Sequence, residues 1–320
     1  MRREIRGAVN LLRTCANAKP GEHVLIVTDS ATDPEIARTI MVAGSRLGIE
    51  TSEITMTART LPGDEPPPPV LAAMLSADVV ICPTSTTLYH TNARMAACRK
   101  GARFISMACA TMSVIGSRAM CADFPKLEKT LNRLVHRMTH ARRITVTNSS
   151  GSNLEFNVQG RQGHGVTGMA RRPGEATGVP DVEAYIAPLE ECTNGVLCVD
   201  GSTSVTGIVK QPIQITIRGG MATRITGGSD ARALSRIARE ARTRASFRVG
   251  EFGIGLNPLA NIRGSIIEDE GMLGTAHVAL GDNTRLGGTN RAPTHIDLVF
   301  KRPYIQLDGI TVLNGRKLTL

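Results

Sequence analysis

The residues best suited to chemistry lie in four short segments of the second half of the chain. They are Glu183-Ala184-Tyr185-Ile186-Ala187-Pro188-Leu189-Glu190-Glu191, Gly250-Glu251-Phe252-Gly253-Ile254-Gly255-Leu256-Asn257-Pro258, Gly274-Thr275-Ala276-His277-Val278-Ala279-Leu280-Gly281-Asp282-Asn283 and Thr294-His295-Ile296-Asp297. His295 and Asp297 are two residues apart, so on a strand they project from one face as a two-donor arm for a divalent metal. His277 sits in an alternating T-A-H-V-A-L stretch that reads as another strand with its polar residue on one face. Two imidazoles with two or three carboxylates suit Zn, Co, Mn or Fe(II). The flanking glycines permit sharp bends or close approach of one backbone to another.

Other motifs carry less. His136 and His140 are four apart on a predicted helix, which is metal-ligand spacing. They lack the Glu of the zinc-peptidase helix and lie among Arg137, Arg142 and Arg143, so they read as a surface pair. Seven cysteines, with no C-x-x-C pair, read as reduced thiols, and Cys192 and Cys198 are not expected to bind metal. In the first half of the chain no Gly-x-Gly-x-x-Gly follows a strand, so a dinucleotide fingerprint is absent there.

Composition narrows the classes further. The 320 residues are 41% hydrophobic and 21% charged, the profile of a globular protein large enough for two domains. Aromatics make up 3% with no Trp, which argues against a stacking platform for single-stranded nucleic acid. The net charge is +10, but the 38 Lys and Arg are scattered rather than gathered in a stripe. That pattern fits a solvated surface, with an anionic substrate as the other reading. The best apolar run, Val70 to Cys82, is short and broken by Asp78, so no membrane span is expected. The charged start Met1-Arg2-Arg3-Glu4 leads into no apolar core or cleavage signature, and a cytoplasmic location is expected.

The elements that must position these residues fall into two halves. Over residues 1–143, helical patterns alternate with apolar runs. Ile5, Val9, Leu12 and Cys15 mark a helix stopped by Pro20-Gly21, His23 to Thr28 a buried strand, and Asp33-Pro34 the start of a helix ended by Gly48. Strands over Glu50 to Met56, Asp78 to Pro83 and Arg103 to Met107 follow, with helices over Val70 to Leu75 and Asn92 to Lys100 between them. A helix from Phe124 to Ala141 closes the half. This order predicts an α/β domain with a mainly parallel, doubly wound sheet. Over 144–320 glycine and threonine multiply and short alternating strands dominate, as in I-T-V-T at 144–147 and I-Q-I-T-I-R at 213–218. One helix, Asp230 to Arg244, remains. The expectation is an α+β, strand-rich metal-binding domain.

The segments E-A-Y-I-A-P, G-E-F-G-I-G-L-N-P, T-A-H-V-A-L-G and H-I-D resemble, in order, the metal-binding half of the aminopeptidase T / aminopeptidase S family of metallopeptidases. The resemblance is clear over most of 180–309 and looser before it. It implies Glu183, Glu251, His277, His295 and Asp297 as ligands of two divalent ions (Zn, Co or Mn), with Glu251 bridging. It also implies a homodimer and a metal-activated water that cleaves an amide bond of a small molecule or short peptide. Glu190 or Glu191 would take the proton. Two departures stand out. The family's Tyr ligand should lie just beyond H-V-A-L-G, where this chain has Asp282-Asn283-Thr284, and this chain is much shorter.

The chain is also similar in length and scaffold to the 2,5-dihydroxypyridine 5,6-dioxygenases, which hold one non-haem iron through His, His and Asp. Their first His falls where this chain has Glu251, and they lack the His of T-A-H-V-A-L-G. A facial triad of His277, His295 and Asp297 would serve that chemistry. The aminopeptidase-like hydrolase is the main expectation, and the Fe(II) ring-cleaving dioxygenase is the alternative.

Overall fold

The computed structural model describes residues 1–60 and 63–320. The chain divides into two compact units. One comprises Met1–Pro125, Val166–Val182 and Pro258–Ala260, and the other Lys126–Gly165, Glu183–Asn257 and Asn261–Leu320.

The first unit is built on a five-stranded parallel sheet. Its order is Glu50–Met56, His23–Asp29, Val79–Cys82, Arg103–Ser106 and Ala176–Gly178. The inner strands are buried along their length, as expected where helices cover both faces. Helix Pro34–Leu47 shows why its ends fall where they do. The Asp33 carboxylate accepts the Glu35 N–H, Pro34 opens the first turn, and Gly48 ends the helix at φ 67°. The parallel, doubly wound sheet is thus as the sequence predicts, except for its fifth strand, a three-residue piece from beyond residue 144.

The second unit contains two sheets. The eight-stranded one is antiparallel throughout and runs Met221–Thr226, Ile213–Arg218, Asn194–Val199, Asn153–Asn157, Arg143–Thr147, Tyr304–Leu307, Ile310–Asn314, Lys317–Leu318. The seven-stranded one runs Gly207–Ile208, Ser202–Thr203, His295–Lys301, Thr275–Gly281, Val249–Gly255, Glu183–Ile186, Gly163–Val166. The Phe156 ring meets Phe252 at 4.9 Å between centroids, so the sheets share a core there. On four strands of the seven-stranded sheet, Glu183–Ile186, Val249–Gly255, Thr275–Gly281 and His295–Lys301, even-numbered residues (Ile186, Phe252, Ile254, Val278, Leu298, Phe300) are buried apolar. The odd-numbered ones form the opposite face, and the candidate ligands are among them.

The helix expected to run to Arg244 ends instead at Glu240. Arg242 takes φ 51°, a left-handed conformation that breaks the helical hydrogen-bond run, and a short 3-10 turn, Arg244–Phe247, follows. Among the described residues no helix is long and apolar enough to cross a membrane.

Candidate metal centre

Antiparallel register gathers the donors. Glu251 lies opposite Ala279 and Gly253 opposite His277, while Ala279 faces Asp297 and Gly281 faces His295 on the next strand. On the other side Gly255 pairs with Glu183, and Gly253 with Tyr185. All of these share one face, and the residues between the donors are glycine or alanine. That explains the glycines. A Cβ on Gly253 would lie 2.0 Å from the His277 ring, so only glycine lets that imidazole lie flat across its neighbour. A bulge between Val249 and Glu251 ends the regular pairing just before the central carboxylate.

The five side chains form a chain of alternating charge. Glu183 Oε2 lies 3.5 Å from His277 Nδ1, and His277 Nε2 lies 3.4 Å from Glu251 Oε1. Glu251 Oε2 lies 3.1 Å from His295 Nε2, which is 3.3 Å from Asp297 Oδ1. Two overlapping groups of three could each hold a metal: Glu183, Glu251 and His277, and Glu251, His295 and Asp297. Glu251 belongs to both. The two imidazoles do not share a group; each faces a different oxygen of Glu251. The first group is sealed, with the His277 side chain 1% exposed, whereas His295 in the second is 31% exposed. The second group is therefore the one a small molecule can reach.

The donor chemistry fits a divalent cation. His295 Nδ1 lies 2.7 Å from the Asp282 carbonyl oxygen, which can only accept, so Nδ1 carries a proton. A neutral His295 then presents a bare Nε2 lone pair to two carboxylate oxygens, an arrangement that needs either a proton or a metal ion between them. In the deeper group, Glu183 Oε2 and His277 Nδ1 are buried and make no hydrogen bond. Unsatisfied donors and acceptors at such depth each cost about 1–3 kcal/mol.

Without metal, protons do part of that work. Burial, with the Glu251 and Asp297 charges, pushes the Glu183 carboxyl up to about 8. For Glu251, burial acts upward but is outweighed by hydrogen bonds from His277 and His295, which hold it well below the usual carboxylate range. Burial would lower His277, yet the carboxylates of Glu183, Glu251 and Asp297 raise it to about 9. His295 is raised well above its ordinary value for the same reason, with Asp297 and Glu251 overcoming burial.

Other expected residues lie elsewhere. Glu190 is committed to structure. Its Oε2 pairs with Arg161 at 2.5 Å, and its Oε1 accepts from the Thr289 backbone at 2.7 Å and from Asn283 Nδ2 at 3.3 Å. Despite partial burial, these bonds hold its carboxyl below the usual range. Glu191 is exposed. Neither belongs to a three-donor group among the described residues. At the position of the expected Tyr ligand, buried Asn283 ties the loop together, accepting the Asn290 N–H on Oδ1. His136 and His140 are exposed, and His140 Nδ1 lies 2.8 Å from the His136 carbonyl oxygen. Tyr185, in the first of the four segments, lies on the donor face as its alternation from Glu183 predicts, and the His164 ring stacks on it.

The family model NicX, 2,5-dihydroxypyridine 5,6-dioxygenase, matches residues 7–319. No curated protein sequence matches the chain. Among solved structures, a 2,5-dihydroxypyridine dioxygenase from Pseudomonas putida KT2440 is similar with a TM-score of 0.81 at 19% identity, covering 99% of this chain and 96% of that one. Wild-type AmpT from Thermus thermophilus is similar with a TM-score of 0.71 at 14% identity, covering 99% of both chains. At such identities both likenesses show the fold alone.

The family match overturns the expectation of an aminopeptidase-like metal-dependent hydrolase, and with it the reading as a metalloprotease. The physical reason is that a fold does not fix a reaction, and this fold is shared with both a 2,5-dihydroxypyridine dioxygenase and AmpT. The segments that suggested a peptidase report how metal donors are placed, and the same placement is open to other reactions. The match extends through nearly the whole chain, and the chain belongs to the 2,5-dihydroxypyridine 5,6-dioxygenase family.

Proposed function

We propose that this protein is a mononuclear non-haem Fe(II) dioxygenase that opens a dihydroxylated nitrogen-containing aromatic ring of the 2,5-dihydroxypyridine type. The observation that carries the reading, beside the family match, is the partly open group of Glu251, His295 and Asp297. Imidazole and carboxylate donors suit Fe(II). Bound iron would supply the O₂ chemistry, by which both oxygen atoms enter the product as one ring bond breaks, with no external reductant.

The chain's own residues do the rest. His295 is aimed by its bond to the Asp282 carbonyl, and Asp297 stands beside it on the same strand face. His277 and Glu183 sit behind Glu251 and hold its carboxylate in place, the outer partners that metal ligands commonly need. The Glu183, Glu251 and His277 group is a second three-donor set. In this reading it positions Glu251, and one iron per chain is expected. A homodimer and a small-molecule substrate remain part of the proposal.

The test is oxygen uptake by iron-loaded protein given 2,5-dihydroxypyridine, with metal analysis on the same sample. Uptake of one O₂ per ring, at one iron per chain, is the expected result. Iron-replete protein that consumes neither ring nor oxygen would overturn it.

A further inference from the structure

Strand His295–Lys301 carries two of the three donors of the open group, and it is held differently on its two sides. Toward Thr275–Gly281 it pairs in register along its whole length. On the other side its partner is the two-residue strand Ser202–Thr203, with Thr203 opposite Leu298. Side chains extend this short hold at either end. Asp200 Oδ1 accepts the Lys301 N–H at 2.8 Å, and at the donor end Ser204 Oγ accepts the Asp297 N–H at 3.0 Å. The Ser204 N–H in turn donates to the Asp297 carbonyl oxygen at 3.1 Å. One residue thus takes both the N–H and the carbonyl of Asp297, and its hydroxyl stands in for the carbonyl that a regular antiparallel pair would offer.

The turn that carries Ser204 is itself fixed. Thr203 Oγ1 accepts the Val205 and Thr206 N–H groups at 3.3 and 2.9 Å. The chain then returns through Gly207, at φ 69°, to pair with Ser202 and Thr203. A Cβ on Gly201 would lie 2.8 Å from the Val299 carbonyl oxygen, so glycine lets this hairpin lie close against the strand. Ser204 is nonetheless exposed. Water can therefore satisfy the Asp297 N–H if the hydroxyl is removed, and what the hydroxyl adds is a fixed place rather than solvation.

We propose that Ser204 is the positioning residue for Asp297 as an iron ligand. By holding both backbone groups it fixes the point from which the Asp297 side chain starts, and so keeps Oδ1 in the group with His295 and Glu251. The Asp carboxylate is only two bonds from its Cα, so any rocking of the strand end passes directly to the ligand oxygen. A metal ligand must keep its distance to within about 0.2 Å. The inference deepens the iron reading above and rests on Asp297 being a ligand in it.

The test is Fe(II) affinity, by anaerobic competition with a chromogenic chelator, measured beside the melting temperature of the metal-free protein. Ser204→Ala is expected to weaken Fe(II) binding about tenfold, at the lower end of what outer partners of a ligand are worth. The metal-free melting temperature should move by no more than about 2–4 °C, because the bond is exposed. Ser204→Thr keeps the hydroxyl, has room for its methyl in an exposed turn, and should restore affinity to within about threefold of wild type. Ser204→Ala that binds Fe(II) like wild type overturns the proposal and leaves the dioxygenase reading standing. So does Ser204→Thr that binds as weakly as Ser204→Ala, or a Ser204→Ala loss of affinity matched by a collapse of the metal-free melt, since either makes the residue a support of the fold alone. Wild-type protein that binds no Fe(II) overturns the iron reading, and this inference with it.

Discussion

His295 and Asp282 are joined by a 2.7 Å contact between an imidazole Nδ1 and a backbone carbonyl oxygen, and the contact determines what the other ring nitrogen can do. With one proton fixed on Nδ1, Nε2 is the nitrogen that faces Glu251 and Asp297, and it carries either a second proton or a metal ion. Asp282 can hold its carbonyl there because its own carboxylate binds the Thr284 and Ala292 backbone N–H groups, anchoring the loop that carries it.

The central position follows from this geometry. Glu251→Gln should lower iron affinity well beyond the roughly 10–100-fold typical of outer partners, because it removes the charge shared by both groups. Glu251→His should instead retain iron, since a histidine there would complete a two-His, one-carboxylate set with His295 and Asp297. Iron content after dialysis against a weak chelator checks both. A Glu251→His protein emptier than Glu251→Gln would remove Glu251 from the metal group.

Gly253→Ala tests how the sheet makes room for His277. The added Cβ would sit 2.0 Å from the ring, so the imidazole must move or the strands must part. Overpacking of this kind costs about 1–3 kcal/mol. A thermal melt should show the loss, together with weakened iron binding. An unchanged melting temperature would mean that His277 finds another rotamer at no cost.

Iron binding should strengthen as pH rises. His295 is raised well above its ordinary value in the metal-free protein, so it holds a proton through neutral pH, and a metal ion must displace that proton to reach Nε2. Displacing one proton makes the apparent affinity climb about tenfold per pH unit, until the raised value is passed. Competition titrations at about pH 6, 7 and 8 measure the slope. A flat profile is the contrary result.

Glu190 and Arg161 form a nearly buried pair, with side chains 16% and 12% exposed. Removing the carboxylate leaves a guanidinium with little access to water, and Glu190→Ala should destabilise the fold by about 3 kcal/mol. Iron content and the KM for the ring should not change. Loss of turnover in a stable, iron-replete Glu190→Ala protein would return Glu190 to the chemistry.

The sequence by itself determined much of the local structure and pointed to the candidate donors. Runs such as His23 to Thr28 announce buried parallel strands, because an unbroken apolar stretch can only be covered on both faces. The i, i+2 spacing of His295 and Asp297 places both on one strand face before any partner is known. Period-two alternation and helix-end chemistry are short-range effects, carried by neighbouring residues. What tertiary structure alone decided is long-range. Register sets Gly253 opposite both His277 and Tyr185, from segments about 24 and 68 residues away. No local pattern encodes which strands pair. The same register converts five separated donors into two groups joined at Glu251, withdraws Glu190 to Arg161 and stacks His164 on Tyr185. The reaction was the least legible part, because a fold and a set of donor types do not fix a reaction, and this fold is found both in a 2,5-dihydroxypyridine dioxygenase and in AmpT.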